Sequence, residues 1–172
     1  MSDEIALACR VVPAEMHIRV ANLDCLEAVQ TLLDMEPEDH HVAVLNMANE
    51  EVPGGGWLGG AGAQEENLHR RTNLSDHLSN HRQIAPVPPA DYPLGTFGCI
   101  FSREVVVFRS AESSGYRYLP KPFTTSVLTA AAYASPPCVG GRLTSEFEAG
   151  TCKKITHILR VARLQDVIPF EI

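Results

Sequence analysis

The sequence has little positive charge, one tryptophan, no closely spaced cysteine pair and no long apolar run. Its 172 residues carry 14 Lys and Arg against 21 Asp and Glu, a formal net charge of -7. Broad contact with a nucleic-acid backbone needs a basic surface, so this balance excludes such contact. No segment approaches the roughly eighteen consecutive apolar residues of a membrane helix, so no membrane partner is expected.

The cysteines and the N-terminus indicate a reducing compartment. The five cysteines are scattered, and no two form a Cys-x-x-Cys pair. The opening MSDEIALACR is acidic and lacks the basic region and long apolar core of a secretory signal. We therefore expect reduced thiols in a cytoplasmic or nuclear protein without a signal peptide or transmembrane segment.

Helical and strand-like patterns alternate along the chain. Helices are predicted over 22–35, 64–79 and 151–165, with Asn22 and Thr151 as caps. Strands are predicted over 41–48, over 99–110 with an interruption at 102–104, over 124–132, and in the final 166–172. Residues 113–123 and 136–141 are predicted as loop and turn. This alternation predicts an α/β fold with helices on the faces of a mixed sheet.

A glycine-rich loop is predicted over 54–62, directly after an apolar strand. Three consecutive glycines let the backbone approach a ligand and point successive N–H groups at it, as a bound diphosphate requires. The spacing matches neither a P-loop nor a dinucleotide fingerprint. A flexible surface turn is the alternative interpretation.

Glu65 and Glu66 follow these glycines at the start of the predicted helix. Adjacent helical residues point about 100° apart, so the two carboxylates can take different roles. Stabilisation of the first helical turn is the alternative role for such residues. A carboxyl group half-buried under the loop can have the raised pKa that a general acid needs for cleaving a glycosidic bond.

These residues match a known family. GGGWLGGAGAQEE resembles the signature of poly(ADP-ribose) glycohydrolases, and the flanking VLNMAN and ENLHRRTNL resemble its microbial-type branch. IFSREVVVFR and SVLTAAA are similar to the strands that follow in that branch. The resemblance implies a macrodomain, a three-layer α/β/α sandwich that binds ADP-ribose. We expect a single domain over 1–172, with an N-terminal helical extension over 1–40 and the macrodomain core over 41–172.

The resemblance also implies an activity and a site. The expected reaction is hydrolysis of ribose–ribose bonds of poly(ADP-ribose), more at chain ends than internally, with no cofactor and no metal. The expected partners are ADP-ribose, its polymer and ADP-ribosylated proteins. Glu66 matches the catalytic glutamate, and Glu65 matches the neighbour that hydrogen-bonds the ribose being cleaved. The expected ligand-binding residues are Asn49, Gly54, Gly55, Gly56, Trp57 and Gln64.

Three of these residues carry a more specific expectation. Asn49 matches an asparagine that contacts ribose in many macrodomains. Gln64 belongs to the signature and is expected to support the glycine loop. Trp57 either packs over the ligand or anchors the loop.

Two other functions stay open: an ADP-ribose-binding module without turnover, and a hydrolase that removes single ADP-ribose units from proteins. In the family a further strand leads to a second glycine-rich loop and an aromatic residue that stacks on adenine. This sequence stops within what resembles that strand, so we expect a macrodomain shortened at the C-terminus, either as a fragment of a longer chain or as a natural short form with an incomplete pocket. The aromatic residues left to compensate are Phe97, Phe101, Tyr116, Tyr118 and Phe123.

Two histidine-containing patterns have less specific interpretations. HRR, residues 69–71, could meet polymer phosphates, but a solvated helix face is favoured. His77 and His81 lie four residues apart, and a solvated face is again favoured over a metal site.

Overall fold

A computed structural model describes residues 20–35, 41–79, 92–165 and 167–170 of the chain. Four α-helices are described: α1 (Cys25–Met35), α2 (Gln64–Arg71), α3 (Leu74–Leu78) and α4 (Ser145–Leu164). The strands are β1 (His41–Met47), β2 (Ile100–Arg109), β3 (Tyr118–Ala130), β4 (Cys138–Val139), β5 (Arg142–Leu143) and β6 (Val167–Phe170). Short 3₁₀ turns cover Trp57–Gly59 and Glu112–Ser114.

Four strands form a mixed sheet in the order β2-β3-β1-β6. β1 is parallel to both of its neighbours, with Val44 opposite Val127 on β3 and Val42 opposite Ile168 on β6. β2 runs antiparallel to β3 at the edge. β4 and β5 form a separate hairpin: β4 lies within the region predicted as a turn, and β5 directly follows that region. The predicted mixed sheet is confirmed.

The sheet is covered on both faces, which explains the continuous apolar run of β1. Val42 and Val44 point to one face and pack with Leu26, Leu68 and other side chains of α1, α2 and α3. Ala43 points to the other face, into a smaller cluster with residues of α4. Because successive strand residues face opposite sides, a strand between two helical layers needs apolar residues at every position. The predicted three-layer α/β/α arrangement is confirmed.

Two predicted helix starts are wrong. Asp24, rather than Asn22, caps α1, because its Oδ1 accepts hydrogen bonds from the N–H groups of Leu26 at 3.0 Å and Glu27 at 3.1 Å. α4 begins at Ser145, six residues before the predicted cap. The Thr151 hydroxyl instead donates to the Phe147 carbonyl inside the helix at 2.8 Å.

The single helix predicted over 64–79 is wrong. It is divided at Thr72, which is extended, with φ -134° and ψ 172°, and forms an isolated bridge to Val107 of β2. Asn73 continues this contact: its side-chain oxygen accepts from the Val106 N–H at 2.7 Å. The edge of β2 thus offers backbone partners that the local helical pattern could not reveal.

β3 begins at Tyr118, so the prediction of a loop over 113–123 is wrong in its second half. These residues continue the antiparallel ladder with β2, in which Val107 lies opposite Phe123 and Arg109 opposite Tyr118. The predicted interruption of β2 is confirmed. Its register shifts between Ser102 and Val105, where Glu104 has φ +56°.

An ion pair joins α1 to α2. Arg71, only 3% exposed, donates from Nη1 to Asp24 Oδ2 at 2.7 Å. Burial alone would raise the pKa of Asp24. The hydrogen bond and charge of Arg71, together with the capped N–H groups, outweigh burial and lower that pKa below its usual value. Asp24 therefore both caps α1 and neutralises a buried guanidinium.

Within the described segments, the helices are all too short or too polar to cross a bilayer. The cysteines among the described residues, Cys25, Cys99, Cys138 and Cys152, are free thiols.

Replacing Asp24 by alanine is expected to lower the free energy of unfolding by about 3 kcal/mol, because it leaves the buried Arg71 unpaired and removes a helix cap. Urea unfolding followed by circular dichroism measures this loss. Asp34→Ala is the matched control: Asp34 lies on the same helix, is exposed and, among the described residues, accepts a hydrogen bond only from the Gln30 side chain. Equal losses in the two variants would contradict this role of the ion pair.

Candidate active site

The glycine loop connects β1 to α2 and can contain few side chains. Gly54 and Gly55 have φ values of +78° and +52°, a region that other residues rarely adopt. A Cβ on Gly55 would lie 2.7 Å from Glu66 Oε1 and 3.2 Å from Glu65 Oε2. A Cβ on Gly54 would lie 2.7 Å from His69 Cδ2. Glycine is therefore required at both positions for the loop to pack against α2.

Glu65 binds the backbone of this loop at two points in its first half. Its side chain, 3% exposed, accepts from the N–H groups of Asn49 at 2.7 Å and Gly54 at 3.0 Å. The Asn46 side chain donates at a longer 3.4 Å. Burial raises the pKa of Glu65, with a smaller contribution from the Glu66 charge, and these outweigh the lowering effect of the hydrogen bonds.

Glu66 lies closer to solvent and is held differently. Its Oε1 accepts from the Gly56 N–H at 3.1 Å, and its Oε2 accepts from the Ala63 N–H at 3.2 Å. Burial would raise its pKa, but these hydrogen bonds, its own N–H and the Arg70 charge lower it. The expectation of a raised pKa is therefore wrong. Glu66 is a carboxylate that accepts hydrogen bonds from two N–H groups of the loop.

The N–H groups of the three glycines are already engaged within the protein. Gly54 donates to Glu65, Gly55 to the Val52 carbonyl at 3.0 Å, and Gly56 to Glu66. The expectation that they point towards a ligand is therefore wrong for this state. An anion that took over the Gly56 N–H would displace Glu66 and bring negative charge beside it. Both changes raise the pKa of a carboxyl group, so anion binding and proton uptake by Glu66 are coupled.

Gln64 ties the start of α2 to the end of β1. Its side-chain Nε2 donates to the Leu45 carbonyl at 2.6 Å, and its Oε1 accepts from the Met47 N–H at 3.0 Å. The amide thus continues the hydrogen bonding of the strand. It supports β1 directly, rather than the glycine loop as expected. It therefore fixes the position of the helix start at which Glu65 and Glu66 lie.

Asn49 shapes the turn that enters the glycine loop. Its Oδ1 accepts from the N–H groups of Glu51 at 2.8 Å and Val52 at 3.0 Å. The side chain is exposed. Its oxygen is occupied by the turn, so a ligand contact from Asn49 would use its Nδ2.

Trp57 and His69 pack together beside the loop. Their ring centroids are 5.8 Å apart, and Trp57 is half-buried. His69 is 3% exposed and donates from Nδ1 to the Glu65 carbonyl at 2.9 Å. Burial lowers the pKa of His69, so the ring is neutral with its proton on Nδ1. Its Nε2 has no hydrogen-bond partner among the described residues.

The solvated face predicted for residues 69–71 is wrong. His69 and Arg71 are both 3% exposed. Arg70 donates from Nη2 to the carbonyls of Trp57 at 2.9 Å and Ala61 at 2.5 Å. Arg70 therefore closes the glycine loop from the side opposite Glu65. The sequence contained a signal that Arg70 lies near Glu66, because Arg70 follows Glu66 by four residues and shares its helix face.

The described part of the chain contains no group of three His, Cys, Asp or Glu side chains that could hold a metal. His77 is half-buried, and burial lowers its pKa. His81 lies outside the described residues.

Comparison with known proteins gives the family and the fold of the chain. The family model for the catalytic domain of microbial-type PARG, poly(ADP-ribose) glycohydrolase, matches residues 5–110. The Thermomonospora curvata PARG structure bound to the inhibitor ADP-HPD matches with a TM-score of 0.67 and 26% identity, over 96% of this chain and 59% of that one. The Deinococcus radiodurans PARG structure in complex with ADP-ribose matches with a TM-score of 0.61 and 25% identity, over 88% and 60%.

The chain thus spans about 59% of the first of these structures. The structural match confirms the macrodomain-like fold. No curated protein matches the sequence significantly.

The pKa values of the two glutamates are expected to be shifted in opposite directions from the ordinary glutamate value. NMR of the side-chain carboxyl carbons should give a pKa below the ordinary glutamate value for Glu66 and above it for Glu65. The ionised Glu66 stabilises the fold above its unfolded pKa, and this contribution is lost as the pH falls through its lower folded pKa. The contribution of Glu65 has the opposite sign and is lost as the pH rises through its folded pKa.

Glu66→Gln should remove the lower titration, whereas Glu146→Gln, in the exposed first turn of α4, should leave both unchanged. Observation of the reverse order for the two pKa values would contradict this description of the site.

Proposed function

The chain belongs to the family of microbial-type poly(ADP-ribose) glycohydrolase catalytic domains, and from this membership we propose that it hydrolyses ribose–ribose bonds of poly(ADP-ribose) and releases ADP-ribose from chain ends. The observation that carries the proposal is the convergence of two adjacent carboxylates on one glycine loop. Glu65 holds the Gly54 N–H, and Glu66 holds the Gly56 N–H. The substrate must therefore meet Glu66 where it meets the loop.

Glu66 is the proposed general acid and base. The diphosphate takes the Gly56 N–H, and the released Glu66, with its pKa raised by the anion, becomes protonated. It gives this proton to the ribose oxygen that leaves as the C–O bond breaks. Water then attacks the oxocarbenium-like carbon and returns a proton to Glu66. One water is consumed, and the carboxyl group is regenerated.

Glu65 is proposed as a positioning residue as well as a ribose contact, because its hydrogen bonds hold the start of the loop and its first glycine. Gly54, Gly55 and Gly56 provide the space in which diphosphate and terminal ribose settle. Gln64 positions the helix, and the proposed ribose contact of Asn49 uses its Nδ2.

The proposed setting follows from sequence and packing. α1 packs on the same core as β1 and β3, which supports one domain over 1–172. The free thiols among the described cysteines suit a cytoplasmic or nuclear location. The proposed partners are ADP-ribose, its polymer and ADP-ribosylated proteins.

An ADP-ribose-binding module with little turnover is the second candidate. The observation that favours it is the hydrogen bonding of Glu66, whose two oxygens accept from loop N–H groups that help to lower its pKa. If the ligand fails to displace Glu66, it meets an ionised carboxylate with no proton to give.

Glu66→Gln is expected to reduce hydrolysis by ~10²–10⁴-fold, because it removes the general acid. Folding and ADP-ribose binding should be nearly unchanged, since the glutamine oxygen can still accept from the Gly56 N–H. Release of ADP-ribose from the polymer measures the rate, and calorimetry measures binding. Glu146→Gln, an exposed first-turn glutamate of α4, is the matched control.

Near wild-type turnover in Glu66→Gln would disprove the assigned role. Binding of ADP-ribose without measurable turnover in the unmodified chain would favour the binding module instead.

Gly55→Val is expected to weaken ADP-ribose binding more than tenfold, because its Cβ would meet Glu66 Oε1 and close the space beneath the loop. Calorimetry measures the affinity, and thermal unfolding measures the accompanying loss of stability. Gly60→Val is the matched control. Gly60 also has a positive φ, +89°, but a Cβ there meets nothing within 4 Å. Equal affinities in the two variants would limit the role of Gly55 to backbone conformation.

A further inference from the structure

A cleft of about 390 Å³ lies beside the glycine loop, on the side of Trp57. We propose that it binds a second ADP-ribose unit of the polymer, the unit on the leaving side of the bond that Glu66 cleaves. This inference rests on the function proposed above. The cleft is lined chiefly by four aromatic residues and by basic residues that the mechanism has not used, among them Trp57, His69, Arg70, Phe108, Arg109 and Tyr118.

The position of the cleft fits the leaving unit. Arg70 lies four residues after Glu66 on the same helix, about 6 Å further along its axis. Trp57 directly follows Gly56, whose N–H holds Glu66. In a ribose–ribose bond the leaving oxygen belongs to the ribose of the neighbouring unit. That unit must therefore extend away from Glu66, and the cleft begins one helical turn away.

The aromatic side chains suit an adenine base. Tyr118 is 72% exposed, although it is a large aromatic residue on a strand. Its ring lies 6.3 Å from that of Phe108, with an interplanar angle of 28°. Trp57, half-buried in the glycine loop, also lines the cleft. Exposed aromatic rings are what nucleic-acid bases stack on.

The guanidinium groups suit a diphosphate. Among the described residues, neither Arg70 nor Arg109 forms an ion pair with a carboxylate. Arg109 donates from Nη2 to the Tyr118 hydroxyl at 2.9 Å and lies 4.6 Å from the centre of that ring. Its buried Nε has no partner in the described part of the chain. Asp76 also lines the cleft, so the lining carries two guanidinium groups and one carboxylate. The local charge is therefore positive, although the protein as a whole is acidic.

His69 adds a buried acceptor without a partner. The ring is 3% exposed and lines the cleft, with its proton on Nδ1. Its Nε2 is therefore an acceptor, and no described residue donates to it. Most buried polar atoms have a hydrogen-bond partner. This nitrogen lies against the loop, where a Cβ built on Gly54 would come within 2.9 Å of it, so the ring lines the cleft without exposing its Nε2.

The size of the cleft agrees with this occupant. Small-molecule sites commonly have volumes of roughly 300–1,000 Å³, and this cleft lies within that range. The same chemistry would also suit a free nucleotide such as ADP, so the test distinguishes a polymer unit from a nucleotide.

The test compares ADP-ribose with a two-unit ADP-ribose fragment in the uncleaving Glu66→Gln chain. Calorimetry should show the fragment binding about tenfold more tightly than ADP-ribose. Tyr118→Ser and Arg109→Gln should each remove most of this gain in affinity. The loss of one base stack alone costs about fivefold or more in affinity. The affinity for ADP-ribose itself should not change.

Arg103→Gln is the matched control. Arg103 is an exposed arginine on the same strand as Arg109, and it lies outside the cleft. Its variant should bind both ligands as the parent does. Thermal unfolding of each variant shows that the fold is kept.

ADP provides the separate arm for a nucleotide. Trp57 is the only tryptophan of the sequence, so quenching of its fluorescence reports binding close to the cleft. If ADP binds and the cleft variants abolish its binding, while the two-unit fragment has no advantage over ADP-ribose, the cleft takes a nucleotide and the inference is overturned.

The remaining outcomes separate this inference from the proposed function. Tight binding of ADP-ribose with no gain for the two-unit fragment, or with a gain that the cleft variants leave intact, overturns only the inference. Failure of the parent to bind ADP-ribose at all overturns the proposed function and the inference together.

Discussion

The buried carboxylate of Glu65 is the contact on which the site depends. It accepts hydrogen bonds from the N–H groups of Asn49 and Gly54, and so brings the start of the loop and its first glycine to one point. Each hydrogen bond to a charged group contributes about 1.5–3 kcal/mol, against the cost of burying the charge. Because Gln64 bonds the same helix end to β1, the loop, the helix and the sheet are held in one geometry.

This constraint explains why adjacent glutamates differ. Glu65 points inward, where burial dominates and raises its pKa, whereas Glu66 points towards the loop surface, where N–H groups and Arg70 lower its pKa. Glu65 is suited to holding the backbone, and Glu66 is suited to exchanging its hydrogen-bond partners when an anion binds. The coupling between anion binding and protonation follows from the shared Gly56 N–H.

The C-terminal end of α2 connects the glycine loop to the edge strand β2. Arg70 closes the loop, Arg71 pairs with Asp24, and Thr72 leaves the helix to join β2. The long β2-β3 ladder then brings Arg109 and Tyr118 to the same side as Trp57. Elements far apart in the sequence therefore line one cleft next to the glutamates.

The order of helices and strands, the glycine loop and the place of Glu65 and Glu66 beside it could be predicted from the sequence. These predictions rest on hydrophobic periodicity, glycine content and the resemblance to a family, which can be read from short stretches of sequence. The end of the helix at Thr72, the burial of residues 69–71 and the lower pKa of Glu66 could not be predicted in this way. Each depends on a distant partner, namely the edge of β2, Asp24 or the folded loop, and local sequence patterns carry no information about which distant groups will meet.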